Sequence, residues 1–183
     1  MRAFYLDQFG HLDGLILKET SVPPLGPKDV LVRSRANSLN YRDLLIVSGQ
    51  GGSFNAASGT RPGLVPVCDG AGDVLAVGKD VTRAKIGDRV AGTFFRRWIG
   101  GRIKPEYLGE QRGRDVDGLL RDHAVLDEEE VVRVPDHLSY TESDYQPQLI
   151  RVCQPTPVAT HENLSGGGLL EGIVHLIDRT VVL

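Results

Sequence analysis

The sequence predicts a mainly β fold with a few short helices, followed by an irregular or short-helix tail. Three observations carry this. Glycine and proline punctuate residues 1–140 at short intervals, at Pro23-Pro24, Gly26-Pro27, Gly49 to Gly52, Pro62-Gly63 and Gly100-Gly101. Between these breaks run short apolar segments with the period of a half-buried strand. After about residue 141 the pattern changes, and QPQLIRVCQPTPVATHENLSGGG is irregular and proline-bearing.

The elements follow in order. In KDVLVRSRANSLN, Val30, Val32, Ser34, Ala36 and Ser38 alternate with Leu31, Arg33, Arg35 and Asn37. Small or apolar residues on one side and basic ones on the other describe a strand with one covered face. NYRDLLIVSG reads as a helix, with Asn40 as its cap and Gly49 as its stop. GDVLAVG is a short strand between turns, and in KIGDRVAG the pair Gly87-Asp88 leads into another. AVLDEEEVVRVPDHL gives two short strands around an acidic turn, the second ended by Pro135. In the tail, Leu169–Ile177 is expected as a short helix and Asp178 to Leu183 as a strand. Leu170, Ile173, Val174 and Ile177 share one face of that helix.

Composition narrows the function classes. The chain has 183 residues, 25% charged and 40% hydrophobic, which is a soluble globular composition with room for one ordinary core. A net charge of −3 without a basic stripe gives no electrostatic case for nucleic acid. MRAFYLDQFG lacks the pattern of a signal peptide. No stretch approaches the ~18 apolar residues of a membrane span. Cys68 and Cys153 do not make a disulfide framework, so a cytoplasmic location is expected.

The stretch PVCDGAGDVLAVG, residues 66–78, is the richest in candidate chemistry. Zinc needs three or four converging ligands. Cys68 and Asp69 are adjacent, so in a strand they point to opposite faces. The five histidines, at 11, 123, 137, 161 and 175, show no ligand spacing. A dinucleotide loop needs G-x-G-x-x-G between a strand and a helix. Here Gly70, Gly72 and Gly78 are spaced otherwise, and strand-like residues follow. The triplet Gly166-Gly167-Gly168 has no convincing strand before it and reads as a linker or helix start. The local reading of 66–78 is therefore turn glycines and close backbone packing around a buried cysteine.

The order of segments is more specific than any one of them. ANSLNYRDLLIVSG precedes VPVCDGAGDVLAVGKDVTRAKIGDRVAG and then DGLLRDHAVLDEEEVVRVPDHLSYTES. This resembles the N-terminal, GroES-like catalytic domain of the medium-chain dehydrogenase/reductase superfamily. The likeness is strongest to its zinc-independent quinone oxidoreductase and alcohol-dehydrogenase-like branch. It covers about residues 1–143 and implies a partly open β-barrel. Residues 144–183 are then an atypical tail where a Rossmann domain is expected.

The resemblance also implies a site. Zinc-dependent members carry a cysteine where Asn40 stands and His-Glu where Cys68-Asp69 stand, so no metal ligands are expected here. The four-cysteine zinc lobe has no counterpart around FFRRWIGGRIKPEYLGEQRGRD. Carried over by position, the catalytic candidates are Asn40, Tyr41, Arg42 and Asp43, with NADP(H) as cofactor, a small-molecule substrate and no assigned cofactor-binding residues. The residues themselves leave two readings open. Asn40 can bond a carbonyl or carboxamide, or simply cap a helix. Tyr41 can donate from its phenol, or pack. Arg42 can stabilise a developing oxyanion, or form a weak surface pair with Asp43.

The resemblance is lost after about Ser143. The final DRTVVL is weakly similar to the first Rossmann strand. The expectations are a chain that binds NADP(H) poorly alone, and a barrel face covered by the tail, by a homodimer or by a partner chain. A truncated or frame-shifted gene model is the accompanying hypothesis. The alternatives are a non-enzymatic β-domain that binds a partner or small molecule, and a gene remnant.

Overall fold

The computed structural model describes residues 1–49 and 61–144. The described residues form a mainly β fold, as the sequence predicts. Strand β1 (Arg2–Leu6) pairs antiparallel with β2 (Leu15–Glu19), in a register running from Arg2 opposite Glu19 to Leu6 opposite Leu15. The remaining strands are β3 (Asp29–Ser38), β4 (Asp69–Val77), β5 (Arg89–Gly92), β6 (His123–Asp127) and β7 (Val131–Arg133). They build one antiparallel sheet in the order β6-β3-β4-β5-β7.

This order forces curvature. β6 and β7 sit at opposite edges, yet only the 3-10 turn Glu128–Glu130 separates them. Across a flat sheet those edges would lie about 19 Å apart. The chain from Asp127 to Val131 reaches at most about 14 Å even when extended. The sheet therefore curls into a half-barrel, the partly open architecture expected. Glu128 fixes the joining turn. It is buried, and its carboxylate accepts hydrogen bonds from the Thr82 N–H at 2.7 Å, the Arg83 N–H at 2.8 Å and the Thr82 hydroxyl at 3.2 Å. The acidic turn read from the sequence is thus an interior joint.

The alternation in β3 holds over its first half only. Val30 and Val32 are buried with Val74, Val90, Leu119, Ala124, Leu126 and Val131 inside the curl. Register shifts at Leu31/Val32 and Ser34/Ala36 then break the period, so Ala36 and Ser38 are only half-buried. A second core packs β1 and Leu15 against Ile46, Val47, Val65, Val67 and Leu120. In β2 only Leu15 is buried, so no alternation marked it.

Helix α1 (Tyr41–Val47) is capped by Asn40 as expected. Gly49, at φ +75°, ends it in the left-handed region that glycine tolerates. Helix α2 (Tyr140–Asp144) packs against β3 and β4. Its Tyr140 phenol donates to Asp73, and the Arg89 guanidinium lies 4.4 Å from the Tyr140 ring centre. Arg33 and Arg35 reach the same Asp73 carboxylate at 2.8 and 2.7 Å. Burial works to raise the Asp73 carboxyl, but the bonds from Tyr140, Arg33 and Arg35 outweigh it and hold it at about 2.

Of the two roles expected for the glycines of 66–78, turns and close backbone packing, only the second holds for Gly70 and Gly72. Gly70 and Gly72 lie inside β4, and neither has positive φ. Close approach is what demands glycine there. A Cβ on Gly72 would stand 2.0 Å from the Arg33 carbonyl oxygen. The helix and strand expected in the tail, Gly166 to Gly168 and Cys153 lie outside the described residues.

Candidate functional site

Asn40 joins the start of α1 to the start of β4. Its Oδ1 accepts the Arg42 N–H at 3.0 Å, while the Asp43 carboxylate accepts the Asn40 N–H at 3.0 Å. This reciprocal pair is a capping box. The Asn40 amide then donates to Asp69 Oδ2 at 2.9 Å and approaches Cys68 Sγ at 3.5 Å. Both polar atoms of the side chain are therefore engaged within the protein. This geometry favours an ordering role over free recognition of a ligand carbonyl.

Adjacent strand residues face opposite ways, so Cys68 and Asp69 were expected apart. The structure brings both to Asn40. The reason is Val67, whose φ of 71° kinks the chain just before β4. A β-branched residue there costs about 1–3 kcal/mol and persists only where its surroundings hold it. Here they do. Leu119 N–H donates to the Val67 carbonyl at 2.8 Å and Gly118 N–H to the Val65 carbonyl at 2.6 Å. Gly118 is packed so closely that a Cβ would lie 2.1 Å from the Val67 oxygen.

Arg42 and Asp43 are not a surface pair. Asp43 is 2% exposed. The Arg42 guanidinium lies 4.5 Å from the Phe94 ring centre, with Nη1 donating to the Arg112 carbonyl at 3.0 Å and Nη2 to Gln111 Oε1 at 3.4 Å. Arg112 is itself fixed by a buried ion pair with Glu130 at 2.5 Å and by a bond to the Thr93 carbonyl. Tyr41, the fourth candidate, is 59% exposed at the mouth of α1.

The electrostatics follow from burial. Desolvation pushes the Asp43 carboxyl up to about 6, with nearby Asp69 adding to the rise and the Asn40 N–H and Arg42 opposing it. Burial also raises Asp69, against bonds from Cys68 and Asn40. The Cys68 thiol is pushed well up by burial, then by Asp69 and Asp43. Asp43 Oδ1 and Asp69 Oδ1 are both buried without a hydrogen-bond partner. The site is thus a half-covered guanidinium beside two buried carboxyls whose proton affinity burial raises. Among the described residues, no cluster of three His, Cys, Asp or Glu side chains is arranged to hold a metal ion.

Sequence reasoning placed Asn40 to Asp43 but missed Phe94, Gln111 and Arg112. Their signal was present in the dense aromatic and arginine content of FFRRW and EQRGRD. Nothing local ties those segments to residue 42, since the contact crosses about 70 residues of chain.

Comparison with known proteins identifies the family of the chain. The family model for the alcohol dehydrogenase GroES-like domain matches residues 26–136. A zinc-type alcohol dehydrogenase-like protein of Schizosaccharomyces pombe is 36% identical over 137 residues, covering 74% of this chain and 38% of that protein. A quinone oxidoreductase of Pseudomonas aeruginosa is 35% identical, covering 64% of this chain and 28% of the relative. A solved structure from Sinorhizobium meliloti, assigned as an alcohol dehydrogenase, superposes with a TM-score of 0.70 at 34% identity, covering 80% of this chain and 42% of its own. The chain spans less than half the length of these relatives. By its matched residues and its curled sheet, the chain belongs to the alcohol dehydrogenase GroES-like domain family of the medium-chain dehydrogenases/reductases.

Proposed function

We propose that this chain is the substrate-side domain of a zinc-independent, NADP(H)-dependent oxidoreductase. Its substrate would be a quinone, enone, aldehyde or alcohol. The observation that carries the reading is the bonding of Asn40. Its amide donates to Asp69 and Cys68, at the positions where zinc-dependent relatives are expected to hold ligands. An amide committed as a donor, a thiol that burial keeps protonated and the lack of a histidine there make a poor zinc donor set.

A nicotinamide supplies the hydride in this chemistry. The described residues suit the substrate side of such a cleft but do not fit the pyrophosphate. Helix α1 has seven residues, and its first free N–H groups are taken by Asn40. The sequence has no G-x-G-x-x-G. The 183-residue chain alone is accordingly proposed to bind NADPH weakly and to turn over negligibly. Arg42 is the group suited to stabilise negative charge on a substrate oxygen. Asp69 is suited to hold a proton, since burial favours its neutral form. Asn40 and Asp43 position these two, and Tyr41 offers an exposed wall at the mouth.

The domain is taken as residues 1–143, with 144–183 as a tail outside it. A homodimer or partner chain over the barrel face, and a cytoplasmic location, belong to the same reading. No helix among the described residues is long and apolar enough to cross a membrane.

The test is titration of the purified chain with NADPH, read by nicotinamide fluorescence and thermal shift, alongside metal analysis and amide chemical-shift mapping with a quinone. Expected are no saturation up to millimolar NADPH, sub-stoichiometric zinc, and quinone shifts centred on Tyr41 to Asp43. Micromolar NADPH affinity would overturn the claim of incompetence. Stoichiometric zinc would overturn zinc independence, and quinone shifts centred elsewhere would remove these residues from the site.

A further inference from the structure

The last described helix, α2, is too short to stand by itself. An isolated helix needs about 12 residues to persist in water. α2 has five, Tyr140–Asp144. Ser139 shapes its start. The Ser139 N–H donates to Glu142 Oε2 at 2.8 Å, and the Glu142 N–H donates to Ser139 Oγ at 3.2 Å. These bonds are local and do not attach α2 to the sheet.

The attachment is narrow. The Val134 N–H donates to the Arg89 carbonyl at 2.8 Å. Pro135 then has no N–H to give, and Asp136 and His137 are exposed. Beyond them, two hydrogen bonds among the described residues reach the sheet. Arg89 Nη2 donates to the Leu138 carbonyl at 2.5 Å, and the Tyr140 hydroxyl donates to Asp73 Oδ1. The Arg89 guanidinium also covers the Tyr140 ring. The apolar seat is small. Leu138 and Tyr140 rest on Ala71, Ala91 and Val134, a cluster separate from the two larger cores. Lifting α2 would leave both of those cores closed.

Asp73 is arranged to let go. Its Oδ2 accepts from Arg33 Nη2 at 2.8 Å and from Arg35 Nε at 2.7 Å, while Oδ1 serves Tyr140. With the tyrosine withdrawn, the carboxylate keeps both cations. The bond therefore breaks without stranding an unpaired charge.

We propose that residues 136–144 form a latch, opening and closing as a unit on an otherwise folded sheet, with the Tyr140–Asp73 hydrogen bond as its catch. Pro135 marks the hinge. α2 packs against β3 and β4 when closed. Residues after Asp144 are joined to it, so the latch decides whether the chain leaves the domain pinned to that face or released from it. The inference rests on α2 and the sheet alone and holds whether or not the oxidoreductase reading does.

The experiment is amide hydrogen exchange by NMR on the full 183-residue chain, as wild type and as Tyr140→Phe. Two amides are read. The Ser143 N–H bonds the Ser139 carbonyl at 3.1 Å within the latch, and the Val74 N–H bonds the Asp88 carbonyl at 2.9 Å within the sheet. Losing a hydrogen bond to a charged acceptor should speed local opening about tenfold. Tyr140→Phe is therefore expected to exchange about tenfold faster at Ser143, with Val74 unchanged. In the wild type, low urea should accelerate Val74 but not Ser143, because a local opening exposes little surface. Equal acceleration of both amides in the variant, or the same urea response at both in the wild type, would make α2 part of the global unfolding unit and overturn the latch. Unchanged exchange at Ser143 in Tyr140→Phe would overturn the catch.

Discussion

The Asn40 amide lies 2.9 Å from Asp69 Oδ2 while its own Oδ1 caps α1 through the Arg42 N–H. One side chain therefore ends a loop, starts a helix and satisfies a buried carboxyl. Substituting Asn40→Ala removes both functions. The cap is worth about 1 kcal/mol and an unsatisfied buried group about 1–3 kcal/mol. We expect a loss of about 2–4 kcal/mol in urea unfolding, with Asn40→Ser recovering about 1 kcal/mol of it through the cap alone. Equal stability of the Ala and Ser variants would show that the cap carries nothing.

Asp43 gives the fold a pH dependence of defined sign. Its carboxyl sits at about 6 against 3.8 in an unperturbed chain, chiefly because burial disfavours the charge. Between those values the folded state binds more protons than the unfolded state, so stability from this group falls as pH rises. The full span is about 3 kcal/mol. The stability difference between wild type and Asp43→Asn should therefore shift in favour of the variant by about 2–3 kcal/mol from pH 4 to pH 7. A difference that stays constant over this range contradicts the assignment.

Gly118 holds the kinked segment that aims Cys68 and Asp69 at Asn40. A Cβ there would meet the Val67 and Pro66 carbonyl oxygens at 2.1 and 2.2 Å. Because both obstacles are backbone, Gly118→Ala must displace residues 65–67. The expected cost is about 3 kcal/mol, with faster amide exchange at Leu119, whose N–H bonds the Val67 carbonyl. Wild-type exchange at Leu119 would mean that the packing is looser than this geometry.

Glu130 and Arg112 form a buried ion pair at 2.5 Å, each under 5% exposed. Breaking it on one side leaves a buried charge, so Glu130→Leu or Arg112→Met alone should cost about 3–5 kcal/mol. Replacing both, as in Glu130→Leu with Arg112→Met, should cost less than the single change. Additive losses in this double-mutant cycle would refute a coupled pair. The Arg112 carbonyl also supports Arg42. The single variant should therefore shift the Arg42 Nε–Hε resonance.

Much of this protein was legible before folding. The helix at Asn40 was readable because cap, apolar run and glycine stop are local signals. The first half of β3 was readable because Val30 and Val32 alternate against a real core. The acidic turn and the strand after Gly87-Asp88 were likewise set by neighbours in sequence. The small strands β1 and β2 carried no such mark, since β2 hides only Leu15 and depends on β1 for its pairing.

The sequence by itself determined the short elements, the family resemblance and the position of Asn40 through Asp43. Only the tertiary structure decided what those residues touch. A positive φ at Val67 turned Cys68 and Asp69 toward one amide, which no alternation rule contains. Phe94 and Arg112 reached Arg42 from segments distant in the chain, the Arg112 contact across 70 residues. Such facts depend on which distant segments share a space, and chain-local propensity holds no record of that.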